Sequence, residues 1–438
     1  MSRLATARRR PALALGLLAL VASALAGAAT ATPAEARERS GERSGAAAPA
    51  RPLLSEVATT ARASGERAGL SGRHQLVELD ADALPRVADG QRLALPGTSG
   101  STVVRIGDVE SAPGFTAWSG RVPGEELASF TLVEVDGTFR GSLVSPDGLW
   151  SLTGAGGGRY WWTELADREG LDGDDSAGVV ARTRTAGVAP RAGVGAGTAE
   201  RRARRVRIGV MFGYTAGAKA EAGSKEAMKA AAVLVVAQTN EALSNSGIRA
   251  TVRYRGLVKA RGKESKDAVK DAFRVGRPRD GHFDNLQRVR RKKGGDIVHL
   301  LTTGPTTGIC GGGLIPLTPR QASPLAGASV TRVGCLPYLV ATHEIGHNLG
   351  ADHFSYPGVT RASRVPYARG FANPAGNYIS VMGYYDPCVD AGNYSCVRIP
   401  WFSSPTNTYG GQPLADNDNT DNTRVIKQTA PRVARYVR

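Results

Sequence analysis

Eleven residues near the C-terminal end constrain this chain more than any others: HEIGHNLGADH, positions 343 to 353. The whole sequence has 6 histidines, and His343, His347 and His353 all fall in this stretch. PYLVATHEIGHNLG reads as a helix, with Pro337 at an early helical position and Leu339, Val340, Ile345 and Leu349 available for core contacts. His343 and His347 are four apart, so their imidazoles project from one helical face. A helix that ran on would turn His353 off that face. Gly350 removes the difficulty, because glycine takes the left-handed conformation that ends a helix sharply. The chain then doubles back and delivers His353 to the other two. Three imidazoles so placed can bind one zinc ion at ~2.0–2.1 Å and leave a position open, the arrangement of catalytic zinc. Glu344, beside the first ligand, can reach water at that position without being a ligand itself.

The N-terminus carries a different signal. Arg3 and Arg8 to Arg10 precede the apolar run PALALGLLALVASALAGAA, and Ala34-Glu35-Ala36 fits a cleavage site. This is the pattern of a secretory signal peptide over residues 1–36, short and rich in Ala and Gly for a membrane span. The expected product is secreted, extracellular and not inserted in a membrane. The 4 cysteines, Cys310, Cys335, Cys388 and Cys396, then suit two disulfides in an oxidising compartment. Of the three pairings open to them, Cys310–Cys335 with Cys388–Cys396 closes the shortest loops.

Beyond residues 37–70, a polar leader rich in Ala, Gly and Arg, the pattern becomes strand-like. HQLVELD, STVVRIGDV, ASFTLVEVDGTFRGSLVS and GLWSLTG alternate or run β-branched, with Asp136-Gly137 marking a hairpin turn. These runs, 74–166, predict a small, mostly antiparallel β domain. Residues 167–205 lose the pattern and read as a Gly- and Arg-rich linker ending in a basic cluster, either a proteolytic site or a plain interdomain tether. From Val206 the order becomes strand (206–214), helix (about 220–243), strand (GIRATVRYRGLV), basic helix, strand (295–303), which is an α/β unit. Here 31 Lys and Arg stand against 16 Asp and Glu, +15 of the chain's +17. Such a surface can attract anionic envelopes or acidic proteins, but in a protein also rich in Ala, Gly and Arg a plain solvated surface is the better reading. Few aromatic residues interleave with the cations, which speaks against nucleic acid.

HEIGHNLGADH followed by SVMGY (380 to 384) resembles the metzincin clan of zinc endopeptidases, whose signature is this long motif and a later Met-turn. RIPWFSSP, the DNTDNTRVI segment and the short-loop cysteines are most similar to bacterial reprolysin-like enzymes, including the peptidyl-Asp metalloendopeptidases. The resemblance covers about 206–438 and implies an α/β (α+β) catalytic domain with a twisted mixed sheet, an active-site helix and a Met-turn. It also implies that residues 37–205 are a propeptide. By the same resemblance His343, His347 and His353 hold one catalytic Zn²⁺, and Met382 packs beneath them. Glu344 is the general base, and Tyr384 stands near the metal as a ligand or hydrogen-bond donor. Phe354 departs from the pattern, since reprolysin-type enzymes often carry Asp there.

Protein or peptide substrates, an acidic residue at the cleavage site and a monomer are therefore expected. No cysteine lies between residues 37 and 205, so latency cannot rest on a thiolate. DNDNTDN (416 to 422) suggests calcium, but as an EF-hand loop it has Asp421 where Gly belongs and Lys427 where Glu belongs. Asp421 or Asn422 as the N-cap of a final helix is the better reading. His282 and His299 lack ligand-spaced partners and read as structural. Two other functions stay open: a zinc amidase acting on cell-wall crosslinks, and a basic cell-envelope binding protein of metzincin-like fold.

Overall fold

Asp136 and Gly137 both take positive φ, 49° and 77°, and pair Val135 with Thr138, the tight hairpin their sequence calls for. In the computed structural model the residues described are 49–57, 72–97, 100–145, 148–165, 176–179, 205–265, 267–304, 309–356, 361–394 and 396–437. The predicted signal peptide, the rest of the leader and most of the linker lie outside them.

The hairpin belongs to a ten-stranded sheet: β1 (Arg51–Pro52), β2 (Leu54–Glu56), β3 (Gly72–Leu79), β4 (Arg92–Gly97), β5 (Gly100–Ala112), β6 (Phe115–Val122), β7 (Glu125–Val135), β8 (Thr138–Ser145), β9 (Gly148–Gly156) and β10 (Arg159–Leu165). β4 to β10 form an antiparallel meander, and β10 returns to pair with β3. β1 pairs with β4 at one edge and β2 with β3 at the other. Since β1 and β2 are consecutive, residues 51–56 bridge both edges and the sheet closes on itself. Side chains alternate across a strand. Leu93, Ile106, Trp118, Phe130, Leu132, Trp150 and Trp162 fill the interior, while Ala117, Val133 and Val135 point out. The sequence runs imply a smaller element, because closure depends on partners distant in the chain, such as Leu54 with Leu79 and Arg159 with Glu78.

The second sheet has the order β11–β15–β16–β14–β12–β13. Its strands are β11 (Ser176–Val179), β12 (Val206–Tyr214), β13 (Ala250–Lys259), β14 (Ile297–Thr302), β15 (Gly311–Pro316) and β16 (Ala328–Arg332). It is mixed: β12, β13, β14 and β16 run parallel, and β15 is antiparallel to β16. Helices cover both faces, so β12 and β14 read as continuous apolar runs. Ile208, Val210 and Phe212 meet α2 (Lys225–Asn245) and α5 (Val340–Asn348). Met211, Val298 and Leu300 meet α3 (Ala268–Gly276) and α4 (Asp284–Lys293). The fold is mixed α/β. No helix among the described residues is long and apolar enough to cross a membrane.

Three expectations need correction. The helix read as 220–243 is two, α1 (Ala216–Ala222) and α2, broken where Gly223 has φ 90° and the Ser224 side chain caps Ala227 N. Pro337 and Leu339 are not in α5. Pro337 lies in a 3-10 segment, Val333–Tyr338, and Leu339 interrupts the chain at φ 59° before the α-helix starts at Val340. Part of the linker is also ordered into the sheet, since β11 pairs in parallel with β15 from Ser176↔Gly313 to Val179↔Pro316.

Candidate metal centre

α5 ends as the glycine argument requires. Gly350 has φ +92°, its N–H bonds to His347 O at 2.8 Å, and Ala351 N–H reaches back to Gly346 O at 3.0 Å. These two bonds are a Schellman motif, and they reverse the chain within three residues of His353. The ligand atoms of His343, His347 and His353 all lie within 4.8 Å of one another. Their rings sit 4.8, 5.2 and 4.5 Å apart between centroids, and all three side chains are buried.

The tautomers follow from the neighbours. His343 Nδ1 lies 2.7 Å from Val381 O, and His347 Nδ1 lies 2.9 Å from Ala351 O. A carbonyl can only accept, so each Nδ1 carries the proton and each Nε2 carries the lone pair. That is the arrangement in which a histidine ligates through Nε2 with its orientation fixed by the other nitrogen. The donor set therefore suits zinc.

Glu344 is buried beside them and faces β15. A β-carbon at Gly313 would come within 2.8 Å of His347 Cβ and 2.9 Å of Glu344 Oε2, and one at Gly311 would collide with Glu344 Oε1. At Gly312 it would meet the α3 backbone at Ala268, 2.8 Å away. The glycine triplet thus lets β15 slide between α3 and α5 and lie against the glutamate.

A turn closed by Gly383 N–H to Ser380 O at 2.9 Å carries Met382, whose sulfur is packed where a side chain on Gly346 would stand, 2.7 Å from that β-carbon position. The methionine thus sits under the helical turn joining His343 to His347. Tyr384 is buried with its ring 4.7 Å from that of His353, tilted 35°. Arg398 ties this turn to the 3-10 segment that leads into α5. Its Nη2 donates to Gly383 O at 3.1 Å and its Nη1 to Tyr338 O at 3.3 Å. Disulfides join Cys310 to Cys335 and Cys388 to Cys396, the short-loop pairing expected from the sequence. The first anchors the start of β15 to the segment leading into α5.

Sequence reasoning missed a second support. The backbone of Asp352, between two site residues, is held from both sides by Asn422, with Asp352 N donating to Asn422 Oδ1 at 3.2 Å and Asn422 Nδ2 to Asp352 O at 3.2 Å. The Asp352 carboxylate accepts from His353 N and Ser363 N at 3.0 and 2.8 Å. Asp421 caps α6 (Asn422–Val433) through Arg424 N at 2.8 Å, so DNDNTDN supplies both the expected cap and this unexpected brace. His282 and His299 stand outside the three-histidine group.

Residues 229–354 match the family described as "Metallo-peptidase family M12B Reprolysin-like". The reprolysin-like segment begins in α2 and ends one residue past His353, and it bears out the resemblance read from HEIGHNLGADH. Two curated relatives are peptidyl-Asp metalloendopeptidases. That of Stenotrophomonas maltophilia (strain K279a) is 26% identical over 220 residues, 48% of each chain. That of Xanthomonas campestris pv. campestris is 26% identical over 211 residues, 48% of this chain and 47% of the relative. The chain thus spans about half the length of the curated relatives it matches. Among solved structures it is similar to metalloproteinase-II from Bacteroides fragilis, at 14% identity, covering 62% of this chain and 84% of that one with a TM-score of 0.40. It is also similar to a chain in the structure of a chaperone–substrate complex, at 25% identity, covering 53% and 36% with a TM-score of 0.41.

Proposed function

We propose that this protein is a zinc-dependent endopeptidase, exported and made as a proenzyme, with a metzincin-type catalytic domain over residues 206–438. The observation that carries the reading is the convergence of three buried imidazoles, two with Nδ1 committed to carbonyls, beside a buried glutamate. A zinc ion held by His343, His347 and His353 supplies a Lewis acid that acidifies water and polarises a carbonyl. Glu344 takes the proton of the attacking water and passes it to the departing amine nitrogen. The Tyr384 hydroxyl donates a hydrogen bond to the carbonyl oxygen as negative charge builds there. Met382 and the glycine-rich β15 hold these groups in place.

Residues 37–205 serve as the propeptide, and cutting in the basic linker severs its covalent tie to the catalytic domain. The two disulfides suit an extracellular compartment. The relatives' name and the basic C-terminal half support an acidic residue beside the scissile bond as the preferred target. The test is Glu344→Gln, which should retain stoichiometric zinc while losing casein cleavage by at least a thousandfold. Undiminished cleavage by that variant would refute the assignment. Hydrolysis of purified peptidoglycan but not of casein by the unaltered protein would favour the amidase instead.

A further inference from the structure

Helix α2 is apolar on two sides, and the two sides have different neighbours. Met228, Ala231, Ala232, Val235, Val236, Ala242 and Leu243 pack into the core of the α/β half. Ala230, Val233, Leu234 and Ala237 pack instead against Ala117, Val133 and Val135, which project from β6 and β7 of the closed sheet. A polar frame surrounds this apolar centre. Ser129 Oγ and Thr131 Oγ1 donate to the Glu241 carboxylate at 2.7 and 3.3 Å, and Gln238 Nε2 donates to Ser142 Oγ at 3.0 Å. Arg121 Nη2 donates to Asn245 Oδ1 at 2.8 Å, and Lys229 Nζ pairs with Asp136 Oδ2 at 2.8 Å.

A second patch lies nearer the candidate site. Val144, Leu149 and Leu165 share a cluster with Tyr338, Val340, Phe371 and Tyr385. The closed sheet therefore rests both on α2 and beside the start of α5. An apolar centre ringed by satisfied polar pairs is the anatomy of a protein–protein interface rather than of a passing contact between tethered parts.

We propose that α2 is a docking surface whose occupant is the β-rich part of the same chain, residues 49–165, and that the two remain a non-covalent pair after the linker is cut. The proposal deepens the proenzyme reading, on which it rests for the reason the linker would be cut. Docking itself needs no catalysis. Cutting the linker removes the high effective concentration it provides but leaves every contact named above intact. Processing alone then does not expose α2, and a separate event must remove the β-rich part.

The test uses the full chain carrying Glu344→Gln, so that self-digestion plays no part, with a site-specific protease sequence inserted within residues 166–175, ahead of β11, so that the pairing of β11 with β15 stays within the α/β piece. After complete cutting, size exclusion and native mass spectrometry at micromolar concentration should show both pieces in one species of intact mass. Two separate species would overturn the proposal, whatever the activity of the unaltered enzyme. Ser129→Ala with Thr131→Ala, on the β-rich side, should weaken the cut pair at least tenfold by leaving Glu241 short of donors. Lys229 and Asp136 are solvent-accessible, so Lys229→Ala and Asp136→Asn offer a control with little risk to folding, Asn tolerating the left-handed backbone at φ 49° as Asp does. Each alone should weaken the pair, and the two together should weaken it no more than either alone. Association untouched by all of these variants would show that α2 is not the surface that holds the pieces together.

Discussion

Acidification from pH 7 to 4.5 should destabilise the α/β half through one imidazole at its centre, that of His299. The ring lies on β14, fully buried, with its edge towards Phe212 at 5.7 Å between centroids. Its Nδ1 is 2.8 Å from Ser329 Oγ, and Ser329 donates its only proton to Asn348 Oδ1, also at 2.8 Å. The amide of Asn348 is oriented by bonds from Nδ2 to Leu314 O and Ala328 O, so Oδ1 must be the end facing the serine. His299 Nδ1 therefore carries the hydrogen, and a second proton would have to enter at Nε2, which meets no hydrogen-bonding group of the described residues. Loss of solvation by burial holds the pKa at about 3, against 6.5 for an ordinary histidine. A base whose folded pKa is depressed contributes stability that is complete above 6.5 and drains away as pH falls towards 3. At ~1.4 kcal/mol per unit, two units of acidification below 6.5 remove about 3 kcal/mol, a large part of the ~5–15 kcal/mol that holds a typical domain folded. His299→Gln cannot titrate. It should start less stable at pH 7 yet lose about 3 kcal/mol less than the unaltered protein on moving to pH 4.5. Urea unfolding followed by tryptophan fluorescence at both pH values measures the difference. Equal acid losses in the two proteins would refute the reasoning.

Other perturbations have equally definite signs. Gly313→Ala drives a methyl group into His347 Cβ and Glu344. It should lower stability by about 1–3 kcal/mol, as overpacking does, and weaken zinc retention against a chelator. Asn422→Ala removes both bonds to the Asp352 backbone and should reduce zinc affinity about tenfold, as loss of an outer support does, with secondary structure by circular dichroism unchanged. Burial raises the pKa of Glu241 above the ordinary carboxylate value, against the opposing pull of Ser129, Arg121, Thr131 and Asn245. Docking then favours the protonated carboxyl more than the separated state does. Its contribution is complete below the ordinary value and is lost as pH rises through the raised one. The cut pair should accordingly bind more weakly as pH rises from the ordinary carboxylate value through the raised one, read as a rising dissociation constant by analytical ultracentrifugation.

What the sequence disclosed, and what it hid, divides by the range of the interactions involved. The histidine triad and its glycine stop were legible because helix pitch and one positive φ determine where His353 goes. β12, β13 and β14 announced themselves as apolar or β-branched runs, and short loop length sufficed to choose the disulfide pairing. β15 escaped notice because GGGLIP lacks the side chains that mark a strand. It is one because glycines alone fit between α3 and α5. β11 was hidden for a similar reason, as SAGV resembles the linker around it and becomes a strand by borrowing the edge of β15. The break at Gly223-Ser224 lay inside an unbroken helical spacing, where an N-cap serine was the local clue. Asn422 looked like a helix cap, and nothing in DNTDNTRVI says that its side chain reaches Asp352, seventy residues away in the chain.

The ring formed by residues 51–56 and β3 to β10 bears on the order of assembly. Every strand of that ring precedes α2 in the chain, and the last of them ends at Leu165, well before Lys225. Emerging N-terminus first, the molecule can complete its all-β shell before the greasy outer side of the helix appears, so that side meets a finished template. A circular permutant that placed residues 205–437 ahead of 49–165 would reverse the sequence of events and leave the helix to wait uncovered, inviting aggregation during synthesis although the final contacts are the same.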